Sequence, residues 1–478
     1  MSVDEVPQDD GDRLAQAFRD QKDAFSKDRF PDLETRLDRL QRLDRMILEN
    51  REALVEALNA DFGCRSRTET LLAEIAGCHG AIHYARKNLR RWMQKRKRKV
   101  SFWSLPARAY ILPQPLGVVG IMSPWNYALH LTIAPLVSAL AAGNRAMLCM
   151  SEETPQLCAL VSGLIAETFP PDLVTVFQGG QKLSPAFAAL PFDHLLFTGS
   201  THVGRLIAAA AAPNLTPVTL ELGGKSPAVV APDFDVEEAA ERIVWGKCFN
   251  AGQTCIAPDY VFVPRMQRAR FVDAALNKFT TSFTGVSDRD YTAIVSERFY
   301  RRLQDLVDEA RAGGAQILRS EGAEPSEAGG VFKYPLTLVL DAPPTCRLMR
   351  EEIFGPILPV LTYNTLPEVV DHINAGDRPL SAYCFTRNRA TIRQLQRDTV
   401  SGSFGVNETL LQYSQEDLAF GGVGASGQGA YHGPEGFDTF SHLKSVFEQR
   451  GPGRFTGVKL LHPPYGPRAK AILKRMLP

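Results

Sequence analysis

Apolar, β-rich runs alternate with helical patterns along most of this chain. After a charged, mostly helical stretch from about residue 13 to 98, "GVVGIM" (117 to 122) predicts a buried strand, and an apolar helix follows over about 129 to 142. "RAMLCM", a helix over about 154 to 168, "LVTVFQ", "HLLFTG", an alanine-rich helix over 203 to 212 and "PVTLEL" continue the alternation. Strands with no polar face need cover on both sides, so they imply a mainly parallel sheet joined by helical crossovers. After Gly224 the pattern starts again with "YVFVP", helices through Phe279 and over about 296 to 312, "AQIL", "LTLVL", "PILPVLTY", a helix at 366 to 375, "SAYCFT" and "GSFGVN". The expectation is an α/β protein of two parallel-sheet domains, with the boundary near "ELGGK" at 221 to 225. Ligands in such sheets sit at the carboxyl ends of the strands.

Length agrees with two domains, because 478 residues exceed one ordinary core. A formal net charge of +1 gives no reason to expect a nucleic-acid partner. The acidic start, residues 1 to 12, reads as a disordered tail without the basic flank and apolar run of a secretory signal, so a cytoplasmic protein is expected. Residues 111 to 144 carry no Asp, Glu, Lys or Arg and are long enough for a membrane helix, but Pro113, Pro115, Pro124 and Pro135 interrupt them. A buried strand, turn and helix accommodate those prolines, whereas a bilayer helix leaves backbone groups unsatisfied.

None of the eight cysteines stands in a C-x-x-C pair or at zinc-finger spacing from a histidine, so no metal is expected and a reduced, packed thiol is the default for each. Cys255 departs from that default, because "FNAGQTCIAPDY" surrounds it with small and polar residues. For phosphate, the G-x-G-x-x-G match at Gly422 to Gly427 lacks a strand before it and a helix after it, and reads as a mobile or tightly turned loop. "HLLFTGSTHVGR" is the better candidate, with Gly199 and Ser200 at a strand-to-helix junction whose free N–H groups favour an anion; an ordinary helix cap is the competing account.

"MSPWN" (122 to 126), "FTGSTHVGR", "LELGGKS" (220 to 226), "FNAGQTC" (249 to 255) and "EEIFGP" (351 to 356) together resemble the signature of the NAD(P)-dependent aldehyde dehydrogenase superfamily. The resemblance runs from about residue 20 to 450. "CIAPDYVFV" and "EDLAFGGVGASGQGAYHGPEGFDTFSH" are most similar to its class 3 and coniferyl aldehyde dehydrogenase branch. The resemblance implies Rossmann-like cofactor and catalytic domains, at 13 to 222 and 223 to 420, an oligomerisation strand near 100 to 115, and a substrate-loop and oligomerisation segment from 421 to 478. It implies oxidation of an aromatic or medium- to long-chain aldehyde to its acid. Cys255 is then the nucleophile, its thiol lowered in pKa by nearby dipoles, Glu221 the general base, and Asn126 with the Cys255 N–H the oxyanion donors. For the cofactor, the resemblance places Phe354 near the nicotinamide, Glu352 on its ribose, Gly199, Ser200 and Gly204 at the pyrophosphate, and Trp125 among the cofactor-binding residues. Glu152 falls near the adenosine ribose, where a carboxylate favours NAD over NADP.

Two residues depart from the family pattern, the lesser being His202, at a loop position that varies in the family and often carries an acidic residue. Cys149 stands where the family usually carries a lysine that binds the adenosine ribose, which disfavours NADP and weakens cofactor binding by about 1.5 to 3 kcal/mol. It also keeps open a non-catalytic binding protein as an alternative, beside thioester transfer to coenzyme A. The basic run at Lys95 to Lys99 reads as a solvated face before an edge strand. The basic tail is expected to pack on a neighbouring subunit of a homodimer, a reading ranked above peripheral contact with an anionic membrane.

Overall fold

The structure, a computed structural model, describes residues 8–180, 182–450 and 462–477. Of the expected disordered tail, residues 1 to 7 lie outside the described residues. Residues 8 to 12 correct that expectation, since they open a helix, Gln8–Lys27, whose Leu14 and Phe18 are buried against the first domain. Apolar residues at helical spacing give this segment a face to bury, which the acidic composition of its first turns conceals.

The first sheet has six strands: β3 (Val118–Met122), β4 (Arg145–Met150), β5 (Val174–Gln178), β6 (His194–Thr198), β7 (Val218–Glu221) and β17 (Gly427–Gln428), in the order β17-β7-β6-β3-β4-β5. The first five are parallel, and only β17 pairs antiparallel, against β7. The second sheet contains β8 (Pro227–Val230), β9 (Tyr260–Pro264), β10 (Gln316–Leu318), β13 (Thr337–Leu340), β14 (Ile357–Tyr363), β15 (Ser381–Phe385) and β16 (Ser403–Val406), in the order β10-β13-β14-β9-β8-β15-β16. Here β10 alone is antiparallel. The short strand β8 escapes the sequence pattern because "SPAVV" is shorter than the runs around it. The chain passes between the sheets over residues 222 to 226. β11 (Ser326–Ala328) and β12 (Val331–Lys333) form a separate hairpin.

A third sheet joins β1 (Arg96–Arg98), β2 (Arg108–Pro115) and β18 (Ser441–Glu448). The basic run is thus itself an edge strand, not a surface preceding one: Arg96 pairs with Asp438, and Lys95 lies over the Tyr110 ring. Charged side chains on an edge discourage further pairing. Residues 118 to 142 are buried almost throughout, as their missing charges require, and the His130–Ala142 helix has no exposed face. No described helix is long and apolar enough to cross a membrane. The basic tail forms an exposed helix, Pro467–Met476.

Candidate active site

The first sheet reverses its direction of winding at β3, since β4 follows on one side and β6 lies on the other. Such a switch point opens a crevice at the carboxyl ends. Trp125 and Asn126 follow β3, Glu152 follows β4, Gly199 and Ser200 follow β6, and Glu221 ends β7. The second domain contributes from the amino side of its strands, with Cys255 before β9 and Glu352 and Phe354 before β14.

The segment before Cys255 holds an uncommon backbone. Asn250, Ala251 and Gly252 have φ of 50°, 49° and 73°, three consecutive left-handed residues. Such strain persists only where surrounding contacts impose it. Asn250 Nδ2 donates to the carbonyls of Asn126 and Gln253, both at 3.1 Å, and a Cβ on Gly252 would lie 2.5 Å from the Gly355 carbonyl oxygen. Asn126 Nδ2 in turn donates to the Gln253 carbonyl at 3.1 Å, tying the β3 turn to the cysteine loop.

Arg65 donates to the Asn126 carbonyl at 2.9 Å and pairs with Glu74 at 3.0 Å, both side chains being fully buried. Glu74 accepts from the His130 N–H at 2.7 Å, and Glu69 accepts from the Asn250 N–H at 3.0 Å. Sequence reasoning missed all three, because they sit inside a segment that reads only as charged helix. A deeply buried ion pair costs desolvation, which its additional hydrogen bonds to backbone groups offset.

Cys255 and Glu221 open on one cavity of about 380 Å³, with a largely apolar lining that includes Tyr127, Leu131, Trp245, Phe249, Tyr413 and Phe420. Glu221 is buried, and neither carboxylate oxygen has a hydrogen-bond partner. Burial raises its pKa well above the usual carboxylate range. Burial also pushes the Cys255 thiol up to about 12, with the charges of Glu352 and Glu221 acting in the same direction. That corrects the expected lowering: the N–H groups of Cys255 and Ile256 favour the thiolate, but two neighbouring carboxylates and desolvation outweigh them. Cys248 packs in the second core, as expected.

Trp125 meets Phe354 edge-on at 5.5 Å and Phe299 at 4.8 Å. Glu352 lies against the "GG" of "ELGGK", where a Cβ on Gly223 would fall 2.0 Å from its Oε2, and burial raises this carboxyl to about 8. Ser200 caps the Thr201–Ala211 helix, accepting from the Val203 N–H at 3.3 Å. A Cβ on Gly199 would clash with Phe197 at 2.4 Å, so backbone lines the turn where an anion would approach, while a Cβ on the buried Gly204 would clash with Leu222 at 2.6 Å, so that glycine lets the helix pack closely. Glu152 is exposed. Cys149 is buried, 4.0 Å from the Ser184 hydroxyl, with its thiol pushed up to about 12. The glycine cradle, the capped helix and the carboxylate at Glu352 fit a dinucleotide.

The Gly422 to Gly427 loop is tightly turned: Gly427 pairs with Glu221, and Leu222 N–H donates to the Ser426 carbonyl at 3.0 Å. It closes the edge of the strand that carries Glu221.

Two mainly parallel sheets, with a cysteine and a buried carboxylate sharing one cavity, define an α/β protein with the makings of a covalent active site. A profile described as aldehyde dehydrogenase family matches residues 2–446, and the chain belongs to that family and oxidises aldehydes. A probable coniferyl aldehyde dehydrogenase of Pseudomonas aeruginosa is 44% identical over 97% of this chain and 96% of its own. The coniferyl aldehyde dehydrogenase of a Pseudomonas species is 41% identical over 98% and 96%. A substrate-bound AldH structure from Staphylococcus aureus matches with a TM-score of 0.89 at 35% identity, over 97% of this chain and 99% of that one.

Proposed function

We propose that this enzyme oxidises coniferyl-type aromatic aldehydes to their acids with NAD, through a covalent intermediate on Cys255. The observation that carries this reading is the shared cavity, in which Cys255 faces an apolar, aromatic-walled space beside a carboxyl group with two unpartnered oxygens. Names of the relatives supply the aldehyde class. The cytoplasm suits this reading, because a nucleophilic thiol must stay reduced and all eight cysteines are free.

The Cys255 thiol gives up its proton to solvent as its sulfur adds to the aldehyde carbon. Asn126 Nδ2 and the Cys255 N–H hold the resulting oxyanion, an arrangement in which each donor contributes on the order of 3 kcal/mol to the barrier. NAD, when bound, supplies the hydride acceptor and a positive ring. Trp125, Glu352 and Phe354 would hold its nicotinamide half, Gly199, Ser200 and Gly204 its pyrophosphate, and Glu152 its adenosine ribose. The acyl group left on sulfur is released by water, whose proton Glu221 accepts; a carboxyl with a raised pKa suits that task.

In this reading the first sheet forms the cofactor domain, the second the catalytic domain, and the β1-β2-β18 sheet the dimer contact. Leu443 and Phe447, on one face of the edge strand β18, are exposed. The test is the growth of NADH absorbance with a coniferyl-type aldehyde. Absence of turnover with every aldehyde tried would overturn the reading.

A further inference from the structure

The cavity that holds Cys255 is lined along one helical face by the small residues Ala73, Ala76, Gly77 and Gly80, with the larger, exposed Leu72 at one end. Its hydroxyl groups are mostly engaged already. Tyr127 Oη is paired with Thr254 Oγ1 at 2.7 Å, Tyr413 Oη with Tyr431 Oη at 3.1 Å, and Ser414 donates to the Leu411 carbonyl at 2.9 Å.

Glu416 differs. It lines the same cavity, no donor among the described residues reaches its carboxylate, and it belongs to neither the cysteine loop nor the cofactor crevice. Glu416 Oε1 lies 4.0 Å from where a Cβ on Gly80 would stand, so the carboxyl borders the small-residue wall of the cavity. Burial alone raises this group to about 7. A half-buried carboxyl group facing an apolar channel keeps only part of its hydration, and a ligand hydroxyl that donates to it replaces the water it retains.

We propose that Glu416 selects phenolic aldehydes, its carboxyl oxygen accepting the ring hydroxyl hydrogen of a 4-hydroxycinnamaldehyde-type substrate whose carbonyl is at Cys255. This rests on the aromatic-aldehyde reading above. A site built to bind a substrate hydroxyl discriminates strongly against the analogue that lacks it, because the protein group is then left unpaired.

The experiment compares kcat/KM for 4-hydroxycinnamaldehyde and cinnamaldehyde in the wild type, Glu416→Leu and Glu416→Gln, with thermal melting to verify folding. Calorimetric binding of 4-hydroxycinnamyl alcohol, which has no carbonyl to attack, runs in parallel. The expected result is that the phenol preference falls about ten-fold in Glu416→Leu and is partly kept in Glu416→Gln, with the alcohol losing affinity in the same order. An unchanged ratio in the leucine variant overturns the proposal. Should the wild type oxidise no aldehyde, the activity reading fails by itself, and equal affinity of the alcohol for wild type and Glu416→Leu then overturns the role of Glu416 independently.

Discussion

Gly427 stands opposite Glu221 in the antiparallel pair that closes the edge of the first sheet, with φ of 146° and no room for a side chain. A Cβ there would lie 2.1 Å from the Leu220 carbonyl oxygen. Gly427→Ala should therefore cost about 1 to 3 kcal/mol and displace the strand end that presents Glu221. Denaturant midpoints measure the first effect, and turnover the second; a variant with wild-type values of both would show that the loop does not hold that strand.

The reading of Cys255 and Glu221 predicts different failures for their variants. Cys255→Ala should abolish oxidation, while Glu221→Gln should lower kcat at least about a hundred-fold and leave acyl-enzyme detectable by mass spectrometry. Both groups hold their protons more tightly than usual, so the reactive forms increase as pH rises and kcat/KM should climb through and beyond neutrality. A flat profile would contradict those raised values.

Stability should run the other way with pH. Glu69 is raised from 4.5 to about 7, chiefly by burial, against the opposing hydrogen bonds from Thr292 and the Asn250 N–H. The folded chain thus binds this proton more tightly than the unfolded one, so stability falls as pH rises from about 4.5 to about 7 and levels off above, by up to roughly 3 kcal/mol. Glu352 and Glu416 act in the same direction. Denaturation of Glu69→Gln across this range should show a shallower dependence than the wild type.

Cys149 makes cofactor preference testable. Cys149→Lys should strengthen NADP binding about ten-fold and NAD binding less, as read by titration of each cofactor with melting as a folding control. No gain for NADP would mean that position 149 does not reach the adenosine ribose.

Phe447 is 56% exposed on the outer strand of the small sheet. If that sheet is the dimer contact, Phe447→Glu should convert dimer to monomer in light scattering. A wild-type chain that is already monomeric would remove this surface from consideration.

How much of this could be read without coordinates differs from element to element. The strands β3, β4, β6 and β9 were legible because a buried parallel strand is apolar on both faces, and periodicity depends only on near neighbours. "FNAGQTC" and "LELGGKS" were legible because chemistry constrains residue type at short spacing. β17 was not: two residues in a glycine-rich loop become a strand only because β7 offers an unpaired edge.

By itself, the sequence determined the alternation of elements, the apolar character of the span from 111 to 144, and the residue types gathered at each turn. Tertiary structure alone decided that Arg65, Glu69 and Glu74, from a charged helical segment, anchor the Asn126 and Asn250 backbones. It also decided that the Cys255 thiol is raised, because desolvation and the fields of Glu352 and Glu221 depend on distances between residues far apart in the chain. Local pattern encodes which face is apolar; what a buried charge meets is encoded only in the packed fold.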